Sequence, residues 1–385
     1  MKTETSMLNI PLVDLRAQQE EISAEVTSGL AEVFATTSFI GGAPVTEFES
    51  SYAEFLGAKH CIGTSNGTDA LELALRAADI HAGDEVILPA NTFIATAEAV
   101  CRIGAIPVLV DVDPQYLLID PQAVERAVTK KTRAIMPVHL YGQSAFIEQL
   151  EPLAAVHELA IIEDAAQSQG ATRHGRAAGT IGVAAGTSFY PGKNLGAAGD
   201  AGAVITNDPA LAERARILGA HGSSTKYEHD VVGFNARMDT LQAVVLNAKL
   251  KRLAGWNAKR RQAADLYGQL LAELPDVVVP QSAPGNEDVW HLYVIQVPTR
   301  DRVLRALNQA GIGAGIHYPY PLHLTKAFAS LGQQTGSFPV AEQAATRILS
   351  LPLHPHITAE EQHRVIEQLR KILGSDSTSS MWADT

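Results

Sequence analysis

From about residue 60 the chain alternates short apolar runs with stretches of helical periodicity, and this order restricts the fold more than any other feature. EVILPA (85–90), IPVLVDVD (106–113), RAIMPVHLYG (133–142) and LAIIEDAAQ (159–167) have the length and bulk of buried strands. DALELALRAADI, TFIATAEAVCRIGA, PQAVERAVTK and IEQLEPLAAVHE stand before, between and after them with helical spacing. Strand, helix and strand in this order predict an α/β domain with a mostly parallel sheet between helices. GTSFYPG and AGAVITND add two short strands, and PALAERARILGAHG another helix.

The second half reads differently. Residues 239–274 predict one long helix or two in series, with Asp239 and Gln242 as a capping box and Pro275 as the stop. VWHLYVIQV is a strand, DRVLRALNQAGI a helix, AGIHYPY a strand or turn, and AEEQHRVIEQLRKIL a last helix. A chain of 385 residues accommodates two domains. The expected division is a large domain over 1–250 with an N-terminal arm, a smaller α+β domain over 251–374, and a frayed tail over 375–385. Lys249, Lys251, Arg252, Lys259, Arg260 and Arg261 are expected on a solvated face of the long helix.

Net charge of -12 and a pI near 5.5 argue against a nucleic-acid partner. MKTETSMLNIPLVD has no apolar signal-peptide core, and no apolar run approaches membrane-spanning length. Cys61 and Cys101 fall in apolar stretches without metal-ligand spacing and read as reduced core thiols of a cytoplasmic protein. The histidines His317, His323, His354 and His356 have no HExxH pattern, Cys pair or dense carboxylate cluster beside them, so no metal is expected.

Open parallel sheets bind ligands at the carboxyl ends of their strands. SFYPGKNLGAAGDAGAV (188–204) carries one lysine, Lys193, in a nearly chargeless run; the next lysines are Lys131 and Lys226. Asp164 closes the strand LAIIED, and Glu163 before it points to the opposite face. TSNGTDAL (64–71) opens a helix with Gly67 and Thr68 in its first turn, where free N–H groups and the positive helix end suit an anion. GxGxxG and GxxxxGK[ST] are both absent. Singly, each part has a plainer reading: Lys193 on a surface turn, Asp164 as a helix cap, Asn-Gly as a turn, Phe93 as core. Together, a lysine, a strand-end carboxylate and a small phosphate cup are what pyridoxal phosphate needs. The lysine bonds to its aldehyde and moves protons on the substrate carbon. The carboxylate keeps the pyridine nitrogen protonated. An ion pair 4 Å apart at an effective dielectric of ~20 is worth about 4 kcal/mol, or roughly three pKa units. Small neighbours also favour a depressed amine pKa at Lys193.

NGTDAL, PANTF, IEDAAQS, SFYPGKNLGAAGD and GFNARMDTLQA, in this order, resemble the DegT/StrS family of pyridoxal-phosphate-dependent nucleotide-sugar aminotransferases over residues 8–373. The resemblance implies fold type I, the aspartate-aminotransferase-like architecture, with a seven-stranded sheet. It makes Lys193 the cofactor lysine and Asp164 the pyridinium partner. It puts Gln167 beside the ring, Phe93 on its face, and Gly67, Thr68 and Ser188 on the phosphate. Asn235 then reaches the phosphate from a neighbouring subunit, which implies a homodimer with shared sites. KYEHDVVGFNARMD, VWHLYVI and GIHYPYPLHL look most like the subgroup that aminates C3 of a keto sugar, with Tyr190, Lys226, Tyr227, His317, Tyr318 and His323 as substrate contacts. Ala201 and Thr187 depart from the family's usual residues but remove no catalytic group. The implied partners are L-glutamate and a dTDP-linked 3-keto-6-deoxyhexose. A UDP-linked 3-keto-2-acetamido-uronate, a 4-keto sugar and a binding-only regulatory role are the alternatives.

Overall fold

The computed structural model describes residues 9–379. Two helices that the alternation from residue 60 does not announce come first: α1 (Leu15–Thr36), capped by Asp14, and α2 (Ala43–Leu56). The alternating part follows as β1 (His60–Thr64), α3 (Gly67–Ala77), β2 (Glu85–Pro89), α4 (Ile94–Arg102), β3 (Ile106–Val110), α5 (Pro121–Ala127), β4 (Thr132–Ile135), α6 (Ile147–His157) and β5 (Ala160–Asp164). It ends with β6 (Ala184–Ser188), β7 (Gly202–Thr206) and α7 (Pro209–Gly219).

The strands form one seven-stranded sheet in the order β1-β7-β6-β5-β4-β2-β3. The pairings from β6 through β3 are parallel, and β7 runs antiparallel to both of its neighbours. This is the α/β sheet predicted from the alternation. The register puts Asp164 opposite Gly186, Ser188 opposite Gly202, and Thr64 opposite Gly202. Three strand ends and the start of α3 therefore meet at one edge of the sheet, where the Lys193 loop also begins. Buried Leu, Ile, Val and Ala from α3, α4 and the strands form the core beneath it.

A short hairpin, β8 (Ser223–Thr225) and β9 (Glu228–His229), precedes the long α8 (Thr240–Leu271). Residue 250, the expected domain boundary, lies inside this helix. Asp239 is its N-cap residue, but the capping box does not form. Gln242 Oε1 instead accepts from the Ala198 N–H at 2.9 Å, in the loop that carries Lys193. The helix stops before Pro275. The basic run is not all solvated: Lys249 and Arg260 are buried, and the Arg260 guanidinium donates to the carbonyls of Trp290 and Leu353.

A second core lies around β10 (Tyr293–Gln296), α9 (Arg300–Gln309), β11 (Ile348–Leu351) and α11 (Ala359–Ser379), while Ala341 and Ala344 of α10 (Pro339–Arg347) belong to the first. Tyr267 of α8, Tyr293, Leu307, Leu349 and Leu369 fill it, together with Ile10 from the start of the chain. β10 and β11 pair antiparallel, and AGIHYPY forms no strand. Helix α11 runs through Ser379, into the segment expected to fray; residues 380–385 lie outside those described. Cys61 is buried on β1, but Cys101 is exposed because its position on α4 faces away from the sheet. Among the described residues no helix is long and apolar enough to cross a membrane.

Candidate active site

Asp164 is almost fully buried at the end of β5. Its Oδ2 accepts from the Thr96 hydroxyl at 2.7 Å, and its Oδ1 from the Ala166 N–H at 3.1 Å. Thr92 and Thr96 are themselves 2.8 Å apart. Desolvation pushes the Asp164 pKa up, against the pull of these donors and of the Lys193 charge. A buried carboxylate in this condition is ready for a cationic partner. Glu163, one residue earlier, points to the other face of the strand and is fully committed. It accepts from His139 Nε2 at 2.7 Å and from the N–H groups of Gly179, Ile181 and Gly182.

Lys193 sits on a turn in which its N–H donates to the Tyr190 carbonyl at 2.8 Å. The loop folds tightly behind it: a Cβ on Gly196 would lie 2.2 Å from the Pro191 carbonyl oxygen. Burial pulls the Lys193 amine down to about 8, with Asp164 opposing. The expected depression of its pKa is thus present.

Asn66 caps α3 through the Asp69 N–H, which leaves Gly67 and Thr68 ahead of the intrahelical ladder. Ser188 at the end of β6 faces them. A Cβ on Gly67 would come within 2.6 Å of Ser188 Cβ, so only glycine permits this approach.

Gln167 links two walls. Its Oε1 accepts from the Tyr141 N–H at 2.7 Å, and its Nε2 donates to the Tyr318 hydroxyl at 3.1 Å. The Tyr141 hydroxyl donates to the His317 carbonyl, and His317 Nδ1 lies 2.8 Å from Ser350 Oγ on β11. Burial and the Lys193 charge push His317 down to about 4. The Phe93 ring is half exposed, 5.4 Å from that of Tyr318.

One cavity of about 560 Å³ is lined by Gly67, Thr68, Phe93, Asp164, Gln167, Ser188, Tyr190, Lys193, His317 and Tyr318. Four other sequence-derived residues are not among its lining residues. Lys226 and Tyr227 occupy the tip of the β8–β9 hairpin, where the ammonium lies 5.1 Å from the tyrosine ring. Asn235 is exposed, its Oδ1 accepting from Arg237 Nε. His323, expected as a substrate contact, is buried against Phe338 with Nε2 2.9 Å from Glu342 Oε1. Thr96, which donates to Asp164, and His291, which lines the cavity, are absent from the sequence reading. Thr92 and Thr96, four apart at the start of a helix after a strand, were a usable signal for the first. His291 lay in the quoted VWHLYVI without a role.

The residues present fit pyridoxal phosphate. A buried carboxylate lacks a full cationic partner, a depressed amine shares its cavity, an exposed aromatic ring forms one wall, and a glycine-made cradle has unpaired helix N–H groups.

The comparisons agree with this geometry. Residues 20–370 match the model of the DegT/DnrJ/EryC1/StrS aminotransferase family. The chain belongs to that family. It is similar to the dTDP-3-amino-3,4,6-trideoxy-α-D-glucose transaminase of Streptomyces venezuelae, 43% identical over 96% of this chain and 98% of the relative. A pleiotropic regulatory protein of Geobacillus stearothermophilus is 46% identical over 94% of this chain and 98% of its own length. The X-ray crystal structure of S. venezuelae DesV superposes with a TM-score of 0.92 at 43% identity, covering 94% of this chain and 98% of that one. The aminotransferase fold of that enzyme, mostly parallel sheet included, is the fold of this chain.

Proposed function

We propose that this chain is a pyridoxal-phosphate-dependent aminotransferase that moves the amino group of L-glutamate to C3 of a dTDP-linked 3-keto-6-deoxyhexose. The observation that carries this reading is the convergence of Lys193, Asp164 and the Gly67–Ser188 cradle on one cavity. The sugar and the nucleotide rest on the similarity to the Streptomyces transaminase. A binding-only role would leave the depressed amine of Lys193 without a use.

Pyridoxal phosphate, when bound, supplies an aldehyde that takes up the amine and a ring that accepts electrons from the amino acid's α-carbon. Asp164 holds the proton on the ring nitrogen. Gly67, Thr68 and Ser188 bind the phosphate, Phe93 covers one ring face, and Gln167 lies beside the ring. Lys193 Nζ, its pKa lowered by burial to about 8, takes and returns the proton at the reacting carbon. Tyr190, His317 and Tyr318 shape the substrate mouth. Lys226, Tyr227 and Asn235 serve the cavity of a second copy in a homodimer. Their exposure, and that of Val231 and Val232 beside them, supports this placement.

The test is the absorbance spectrum of purified protein with and without L-glutamate. A band near ~410 nm that moves toward ~330 nm supports the half-reaction with glutamate. A colourless protein that gains no band with added pyridoxal phosphate overturns the cofactor. A coloured one that glutamate leaves unchanged overturns the donor. Keto-sugar nucleotides, dTDP-linked first and UDP-linked second, then identify the acceptor by restoring the first band.

A further inference from the structure

Ser350 is a fully buried hydroxyl on β11, a strand otherwise made of Ile348, Leu349 and Leu351. Leu349 and Leu351 belong to the second core, so Ser350 between them faces the other side. There its main chain exchanges two hydrogen bonds with Gly315. The Gly315 N–H donates to the Ser350 carbonyl at 3.2 Å, and the Ser350 N–H to the Gly315 carbonyl at 2.8 Å. Two residues further on, His317 brings Nδ1 to 2.8 Å from Ser350 Oγ. This is the one side-chain hydrogen bond of Ser350 among the described residues, and solvent does not reach the hydroxyl. A hydroxyl carries one proton, and a buried donor left unused costs about 1–3 kcal/mol. The proton therefore goes to Nδ1. In a neutral ring whose Nδ1 accepts, Nε2 holds the proton. Burial and the Lys193 charge push His317 down to about 4, so the ring is neutral at working pH. Nε2 has no hydrogen bond among the described residues and is not an occluded atom. His317 lines the cavity that holds Lys193.

From this contact we infer that Ser350 is a positioning residue: its hydroxyl fixes His317 in the tautomer whose Nε2–H donates a hydrogen bond to an uncharged oxygen of the bound keto sugar. The inference deepens the proposed function and rests on its placing of His317 at the substrate mouth. The ring is held from several sides. The Tyr141 hydroxyl donates to the His317 carbonyl, and Ser350 engages Nδ1. The Gly315 backbone passes so close that an added Cβ would lie 3.1 Å from His317 Cε1. A flipped ring would put carbon against the Ser350 hydroxyl and leave its proton unused. The neutral ring decides the kind of oxygen. A carboxylate, such as those of glutamate, is held about twice as strongly by a cationic donor, and the Lys193 charge keeps His317 from becoming one. A keto or hydroxyl oxygen of the sugar needs no such charge.

Two measurements test this. The first is nitrogen-15 NMR of histidine-labelled holoenzyme, with the His317 signals assigned by their loss in His317→Asn. The expected result is a protonated Nε2 and a bare Nδ1 between about pH 6 and 8. The opposite tautomer, or an imidazolium in that range, overturns the proposal. The second compares the two half-reactions in Ser350→Ala, which keeps both main-chain bonds to Gly315 and removes only the hydroxyl. The rate with L-glutamate should equal that of wild type. Single turnover of the pyridoxamine-phosphate form with a dTDP-linked 3-keto-6-deoxyhexose should show an apparent affinity lower by about five-fold. Ser350→Thr, which keeps the hydroxyl, should recover most of that loss. A loss in the glutamate half, or none in the sugar half, contradicts the proposal. If Ser350→Ala does not fold, the wild-type NMR result decides alone. Failure of the proposed function is separate: it appears as a protein whose visible band neither substrate moves, whatever the histidine tautomer.

Discussion

Thr96 Oγ1 stands 2.7 Å from Asp164 Oδ2 and is the only side-chain donor to that carboxylate among the described residues. The Thr96 proton is committed to Asp164, so Thr92 donates to Thr96 across their 2.8 Å contact. The relay supports the charge of a carboxylate whose burial favours the neutral form. Thr96→Val keeps the shape and removes the donor. A hydrogen bond to a charged group contributes roughly 1.5–3 kcal/mol, so cofactor affinity should fall by about ten-fold or more. Titration of the stripped variant with pyridoxal phosphate, followed by absorbance, measures this. An affinity equal to wild type would mean that Thr96 does not support Asp164.

Glu163→Gln probes the neighbouring carboxylate, which faces away from the cavity. The Ala145 N–H donates to His139 Nδ1 at 2.9 Å, so Nε2 bears the proton given to Glu163. Hydrogen bonds from His139 and the backbone pull the Glu163 pKa down despite its burial. A glutamine amide would present N–H against N–H in this cage. The expected loss at pH 7 is about 3 kcal/mol of stability, with the catalytic groups intact. Because the folded-state pKa is depressed, the wild-type advantage exists above the ordinary glutamate range and is lost as pH falls through the folded value. Thermal melts of both proteins at pH 7 and pH 4 check the sign.

Lys193 has the same sign of linkage at higher pH, but its depressed pKa records a cost of burying charge rather than a gain. In the cofactor-free folded chain its amine deprotonates near 8, against 10.5 as the ordinary value. Between those limits the unfolded chain binds the extra proton, so wild-type stability rises with pH. Lys193→Met removes the cost of burying the ammonium. It should be the more stable protein at pH 7 by about 2 kcal/mol, after discounting for the solvent access of a half-buried amine. The gap should close toward pH 10. Melting temperatures compared at pH 7 and pH 10 report it, and a wild type more stable at pH 7 would contradict the depressed amine.

Much of this site is legible in the sequence because its parts lie at strand ends, and strand ends can be read from the alternation. Asp164, Ser188 and the Gly67 turn fall where apolar runs stop; the parallel pair β5–β6 and the antiparallel β7 between β6 and β1 then bring them together. Contacts set by tertiary approach are less visible. His323 stands in a loop-like string with His317, yet it packs on Phe338 while His317 faces the cavity. Gln242 has the right spacing for a capping box, but the Ala198 N–H of the lysine loop takes its side chain. Arg260 belongs to a basic run and is buried because two carbonyls from distant segments meet its guanidinium. The helices α1 and α2 lie ahead of the alternation and pack on α8, a long-range relationship with no local signature.

The most direct measurement reduces the coloured holoenzyme with borohydride, digests it and locates the cofactor mass by peptide sequencing in the mass spectrometer. The account predicts that mass on Lys193 and no covalent label in Lys193→Ala. Label on another lysine, Lys226 for example, or a coloured protein that gives no labelled peptide, would contradict it.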